Sequence, residues 1–90
     1  YAIVESWQDD NKKDFYISFR NKDNSWTKLK NMGHKINTPG FEGHPKVSND
    51  GKYLFFWSDR TGKLILYWIR VDTIINDLKA KVYSSENDEQ

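Results

Sequence analysis

Two short runs, Tyr53–Trp57 and Leu64–Val71, are apolar on both sides of an extended chain. Successive residues of a strand point to opposite faces. Tyr53, Phe55 and Trp57 therefore line one face, and Leu54 and Phe56 the other. In the second run Ile65, Tyr67 and Ile69 oppose Leu66 and Trp68. An antiparallel strand with one wet face shows polar residues at alternate positions. These runs do not, so the sheet that holds them is expected to be covered on both faces. A helix fits less well, because the runs are short and β-branched and aromatic residues dominate them.

Turn chemistry punctuates the runs. Asn49-Asp50-Gly51 precedes the first, and glycine takes the positive φ that a tight hairpin demands. Thr61-Gly62 closes a second hairpin, with Asp59 placed to bond backbone in the turn. A further strand is expected around Pro45 to Ser48. The order is strand, turn, strand, turn, strand.

The chain also repeats itself. Tyr1-Ala2-Ile3-Val4 aligns with Tyr53-Leu54-Phe55-Phe56 at an offset of 52 residues. Phe15-Tyr16-Ile17 aligns with Leu66-Tyr67-Trp68 at an offset of 51, and Ser6 matches Ser58. A period near fifty is the length of a propeller repeat. In the first copy, strands are expected at Tyr1–Trp7, Asp14–Arg20 and, as a short edge, Trp26–Leu29. The counterpart of the Pro45 strand would precede Tyr1. The chain is thus expected to begin inside one unit and to hold its three outer strands, then the three inner strands of the next.

Pro45-Lys46-Val47-Ser48-Asn49-Asp50-Gly51-Lys52-Tyr53-Leu54-Phe55-Phe56-Trp57-Ser58-Asp59-Arg60-Thr61-Gly62, with Leu66-Tyr67-Trp68-Ile69 after it, resembles the WD-like β-propeller repeat of TolB-type proteins. The family usually carries proline where this chain has Asn49, and an acidic residue or asparagine near Leu64. Asn31-Met32-Gly33, followed by Lys35-Ile36-Asn37-Thr38-Pro39-Gly40, is similar to the blade-to-blade connection of that family. The resemblance implies an all-β fold of antiparallel propeller blades, about two of them, the first incomplete.

The expected layout is a partial propeller over 1–83 and a disordered acidic tail over 84–90. Residues 1–30 supply the outer strands of one blade and 31–44 the connection. Residues 45–72 supply the inner strands of the next blade, and 73–83 a short C-terminal helix. Asp72 or Thr73 can cap that helix, which is read from about Thr73 to Lys81. Ile74, Ile75, Leu78 and Val82 fall on one helical face. Ile36 and Phe41 are expected to pin the connection inward.

Composition narrows the function. With 90 residues the chain is one small domain, and a domain of this size hides only about 60% of its unfolded surface. A net charge of +1 supplies no general field for nucleic acid or membrane. Cysteine is absent, so neither disulfides nor thiolate metal sites exist. No apolar run approaches the roughly 20 residues of a membrane span. Tyr1 opens directly on strand-like sequence, and no signal peptide is read there.

Several residues invite a chemical reading. His34, His44 and Glu42 flank one loop, but their spacing matches no compact metal motif, so no metal and no cofactor is expected. Lys12 to Lys46 holds eight basic and three acidic residues with Trp26 and Phe41 among them. These charges fall on turns and alternate faces, which favours a solvated surface over nucleic-acid binding. Ser18, Ser48 and Ser58 lie outside any Gly-x-Ser-x-Gly elbow. Asp9 and Asp10 are paired in a polar loop with nothing apolar to shift them. Tyr53, Phe55, Trp57, Tyr67 and Trp68 read as packing between blades before they read as a sugar platform. The expected ligand-contacting set, at loops of a channel mouth, is Asp59, Arg60, Arg20, Glu42 and His44.

No catalytic motif stands out, and a non-catalytic interaction module is the expected function. The resemblance implies work in the bacterial periplasm or cell envelope, with partners such as peptidoglycan-associated lipoprotein. It also allows a propeller fragment of a prolyl-oligopeptidase-type hydrolase, a polysaccharide lyase or a glycan-binding propeller. Two blades cannot close a ring, so self-association is expected. Three copies would supply six blades, and pairing through the Tyr1 edge is the alternative.

Overall fold

The computed structural model describes residues 1–8 and 12–88, with side chains as far as Ser84. Asp9 and Asp10 lie outside the described residues, as do the last two residues of the expected tail.

The strands are β1 (Ala2–Trp7), β2 (Lys13–Ser18), β3 (Lys30–Asn31), β4 (Glu42–Val47), β5 (Tyr53–Ser58) and β6 (Ile65–Arg70), followed by the helix α1 (Asp72–Asp88). They form two three-stranded antiparallel sheets, β1-β2-β3 and β4-β5-β6. Sequential neighbours pair throughout, as hairpin connections favour. Gly51 and Gly62 occupy the two turns of the second sheet with φ of 74° and 89°. Asp50 accepts hydrogen bonds from Ser48 Oγ and Lys52 N, which fixes the first of these turns.

The register of the two sheets is the same, pair for pair, under the sequence repeat. Ala2↔Ser18, Ile3↔Ile17, Val4↔Tyr16 and Glu5↔Phe15 in the first sheet correspond to Leu54↔Ile69, Phe55↔Trp68, Phe56↔Tyr67 and Trp57↔Leu66 in the second. Register decides which residues share a face, so equivalent residues lie on equivalent faces.

The sheets pack on each other through opposite faces of that repeat. Phe15, Ile17 and Phe19 from the first meet Leu54 and Phe56 from the second in one core, joined by Met32, Ile36, Val71, Ile75 and Leu78. Phe15 and Phe56 touch edge to face with ring centroids 5.7 Å apart, the geometry that aromatic quadrupoles favour. Burying each such ring is worth about 1.5–3 kcal/mol.

The helix ties the second sheet back to the first. Ile75 and Leu78 are buried and Ile74 and Val82 pack against the core, so the apolar stripe docks as read. Tyr83 donates from its hydroxyl to Asn21 Oδ1 at 2.8 Å and its ring lies 6.4 Å from Phe19. The helix continues to Asp88, beyond the expected end at residue 83. Among the described residues no helix is long and apolar enough to cross a membrane.

Three expectations are corrected. The third strand does not form at Trp26–Leu29. Trp26 makes a single bridge to Arg20, and Thr27 Oγ1 accepts from Phe19 N while Thr27 O accepts from Ser18 Oγ. Thr27 N keeps one backbone bond to Phe19 O, but the hydroxyls take the return partners, and strand pairing resumes only at Lys30–Asn31. Next, β4 starts at Glu42 rather than at Pro45, with an irregular register between Gly43 and Lys46. Pro45 has no N–H to give, and His44 beside it takes φ of 54°. Finally, the second sheet is covered on one face only. Phe56 is 1% exposed, yet Trp68 on the opposite face is 66% exposed.

Candidate functional site

Two places gather the residues that sequence reading singled out. One is a polar clamp at the connection between the sheets. The other is the uncovered aromatic face.

The clamp is built around Glu42, the first residue of β4, whose side chain is fully buried. Its Oε1 accepts from Thr38 N at 2.7 Å, and its Oε2 accepts from Thr38 Oγ1 and Ser58 Oγ, each at 2.8 Å. Arg60 adds a guanidinium 4.0 Å from Oε2. A buried carboxylate needs such partners, because leaving one unpaired costs several kcal/mol. Arg60 also donates to Ser58 Oγ at 3.0 Å and to Ile36 O at 2.7 Å. Its guanidinium stacks 5.1 Å from the Phe56 ring and 4.9 Å from Tyr67. Asp59 Oδ1 accepts from Phe41 N at 2.8 Å. A side chain at Gly40 would run into that carboxylate.

Ser58-Asp59-Arg60 therefore grips residues 36–42 at three points. Asp59 was expected to bond backbone within its own turn; the turn instead closes through Gly62 N and Asp59 O. The carboxylate is left for the connection.

Beside the clamp, Glu5 and Lys13 of the first sheet meet His44. Glu5 Oε1 lies 2.9 Å from Lys13 Nζ and accepts from His44 N at 2.8 Å. Lys13 Nζ stands about 5 Å over the rings of Trp7 and Phe41. Burial opposes ionisation of Glu5. The Lys13 ammonium and the His44 N–H outweigh it and hold the carboxyl below its ordinary value. His44 contributes its backbone here, and its side chain is exposed.

Of the expected contact set, Asp59, Arg60, Glu42 and His44 come together at this seam. Arg20 does not join them; it borders a cleft of about 210 Å³ with Tyr1, Phe19, Ile75, Asn76 and Lys79. No cluster of three His, Cys, Asp or Glu residues able to hold a metal occurs among the described residues. Ser18, Ser48 and Ser58 donate to Thr27 O, Asp50 and Glu42 respectively.

One important residue escaped sequence reading. In the sequence Asn37 reads as part of a turn. Its Oδ1 accepts from Phe15 N at 2.7 Å and its Nδ2 donates to Phe15 O at 3.0 Å. A side-chain amide thus stands in for a strand neighbour beside β2. Only its place in Asn37-Thr38-Pro39-Gly40 hinted at a backbone-bonding amide.

The second place is the outer face of the second sheet. Tyr53, Phe55 and Trp57 of β5 share it with Leu66 and Trp68 of β6. Phe55, Trp57, Leu66 and Trp68 are all exposed. Tyr53 packs edge-on to Trp68 at 5.7 Å, which holds the indole in place. Arg70 closes one end, standing over Tyr53 and donating twice to Asp72. Scattered exposed apolar residues are ordinary, but a contiguous patch of this kind marks a contact surface. The expectation that these rings pack between blades is not met within one chain for Phe55, Trp57 and Trp68, whereas Tyr67 of the same expected group packs against the core beside Phe56. Comparison of the chain with known protein families, with curated proteins and with solved structures finds no match.

Proposed function

We propose that the chain is a non-catalytic protein-interaction module, related to the TolB-like propellers and acting in the bacterial cell envelope. The observation that carries this reading is the aromatic face of the second sheet, where Trp68 is 66% exposed beside Phe55, Trp57 and Leu66. Aromatic residues lead the energetics of protein contacts because they bury much area at little entropic cost. The polar groups point the same way. Glu42, Ser58, Asp59 and Arg60 direct their hydrogen bonds into the connection between the sheets. The resemblance of Pro45–Gly62 to the TolB-type repeat supplies the envelope setting and the partner class.

Titration of the chain against purified peptidoglycan-associated lipoprotein tests the reading, with heat of binding as the readout. Saturable binding that is lost in Trp68→Glu supports it. Absence of binding, or turnover of a peptide or polysaccharide substrate by the chain, overturns it. A glycan array run in parallel separates the protein partner from a sugar stacked on Trp57 and Trp68.

A further inference from the structure

We infer that the aromatic face of the second sheet is the docking site for the outer face of the first sheet of another copy of this chain. The inference rests on reading that face as a contact surface, and it names the partner. The argument is the repeat seen in three dimensions. Within one chain, the face bearing Ile3, Phe15 and Ile17 packs on the face bearing Leu54 and Phe56. Under the repeat, Ile3, Phe15 and Ile17 correspond to Phe55, Leu66 and Trp68. Likewise Ala2 and Val4 correspond to Leu54 and Phe56. The chain therefore holds one finished junction and leaves the surfaces of a second without a partner: exposed Phe55, Leu66 and Trp68 on one side, and on the other Val4, 37% exposed, with half-buried Ala2 and Tyr16 beside it.

Size agrees with that pairing. Where the finished junction has Ile17 on one face and Leu54 on the other, the second would have a large Trp68 and a small Ala2 at the equivalent positions. Large against small fills the same space. Four large side chains at one- to two-thirds exposure present roughly 400 Å². That is the apolar centre of an interface that needs about 800 Å² per partner, and β4, β6 and the turns of the sheet supply its rim. A junction between unlike faces is head-to-tail, so copies continue until a ring closes or a filament grows.

Sedimentation equilibrium on two surface variants tests this, with circular dichroism to confirm that both fold. Wild type should gain mass with concentration. Val4→Glu alone and Trp68→Glu alone should each stay at 10.7 kDa. Mixed one to one they should give twice that mass and nothing larger, because each keeps the half that the other lost. A wild type that stays monomeric at every concentration overturns the inference. So does a Val4→Glu variant that associates as wild type does, since the aromatic faces would then be pairing with each other. The lipoprotein titration stands apart from these outcomes. Lipoprotein binding by a chain that never self-associates sinks the inference and leaves the proposed function. Self-association without lipoprotein binding does the reverse.

Discussion

Ile17 and Trp68 occupy the same position in two copies of one repeat, yet Ile17 is fully buried and Trp68 is 66% exposed. Val4 and Phe56 show the reverse, at 37% and 1%. Strand length and register are alike in the matched pairs β1-β2 and β5-β6. What differs is whether something lies against the face. Apolarity therefore records what a position is suited to meet, and burial records what it has met. The first sheet has its inner face filled, and on its other face Val4 stands exposed among half-buried Ala2 and Tyr16. The second has its inner face filled and its aromatic face bare.

Mutations at matched depths would break or sharpen this contrast. The largest effect is expected at Phe56. Phe56→Ala should cost about 3–5 kcal/mol, since it empties a fully packed site. Phe55→Ala, one residue away on the outer face, should cost about 1 kcal/mol or less. Urea unfolding at a dilution where the chain is monomeric gives both numbers. Equal losses would mean that the two faces do not differ as described.

Glu42 comes next. Glu42→Gln keeps the shape but removes the charge that Thr38, Ser58 and Arg60 surround. A loss of about 2 kcal/mol is expected in the same assay. The clamp joins the end of β5 to residues 36–42 and so spans the connection between the sheets. Gly51→Ala should cost about 1 kcal/mol, because φ of 74° is unfavourable for any residue with a Cβ.

The smallest effect is a pH dependence at the seam of the two sheets. Glu5 is held below its ordinary value near 4.5. A carboxyl shifted down on folding stabilises the fold above the unfolded value. That contribution fades as pH falls from there through the lower native value. Glu5→Gln should remove it, flattening the stability profile below pH 4.5 while leaving neutral stability lower by under about 1 kcal/mol. Unfolding curves collected across acidic pH measure this. An unchanged slope would remove Glu5 from the seam.

Much of the fold was legible because it is written in local chemistry. The short aromatic and β-branched runs Tyr53–Trp57 and Ile65–Ile69 gave the strands, and Asp50-Gly51 and Thr61-Gly62 gave the turns. The stripe of Ile75 and Leu78 gave the helix face. What stayed hidden was long-range and polar. Nothing near Asn37 announces that its amide will bond Phe15, 22 residues away. Thr27 reads as a strand residue, and its hydroxyl takes the Phe19 N–H that a strand carbonyl would have accepted. Ser58, Asp59 and Arg60 were legible as a turn signature, but their grip on Ile36, Phe41 and Glu42 depends on how two sheets meet. The bare aromatic face was legible in part. Two-sided apolarity announced that a cover is required, and sequence alone does not say from which molecule it comes.

The most direct measurement is the environment of Trp68 as a function of concentration. In a chain with Trp7, Trp26 and Trp57 replaced by Phe, Trp68 is the sole indole. At high dilution its emission should be that of a water-exposed indole, freely quenched by acrylamide. As concentration rises the emission should move to shorter wavelength and the quenching should fall, in step with the gain in mass. An indole that stays open to quencher at every concentration, or that is already shielded in the monomer, would contradict the claim that this face waits for a second sheet.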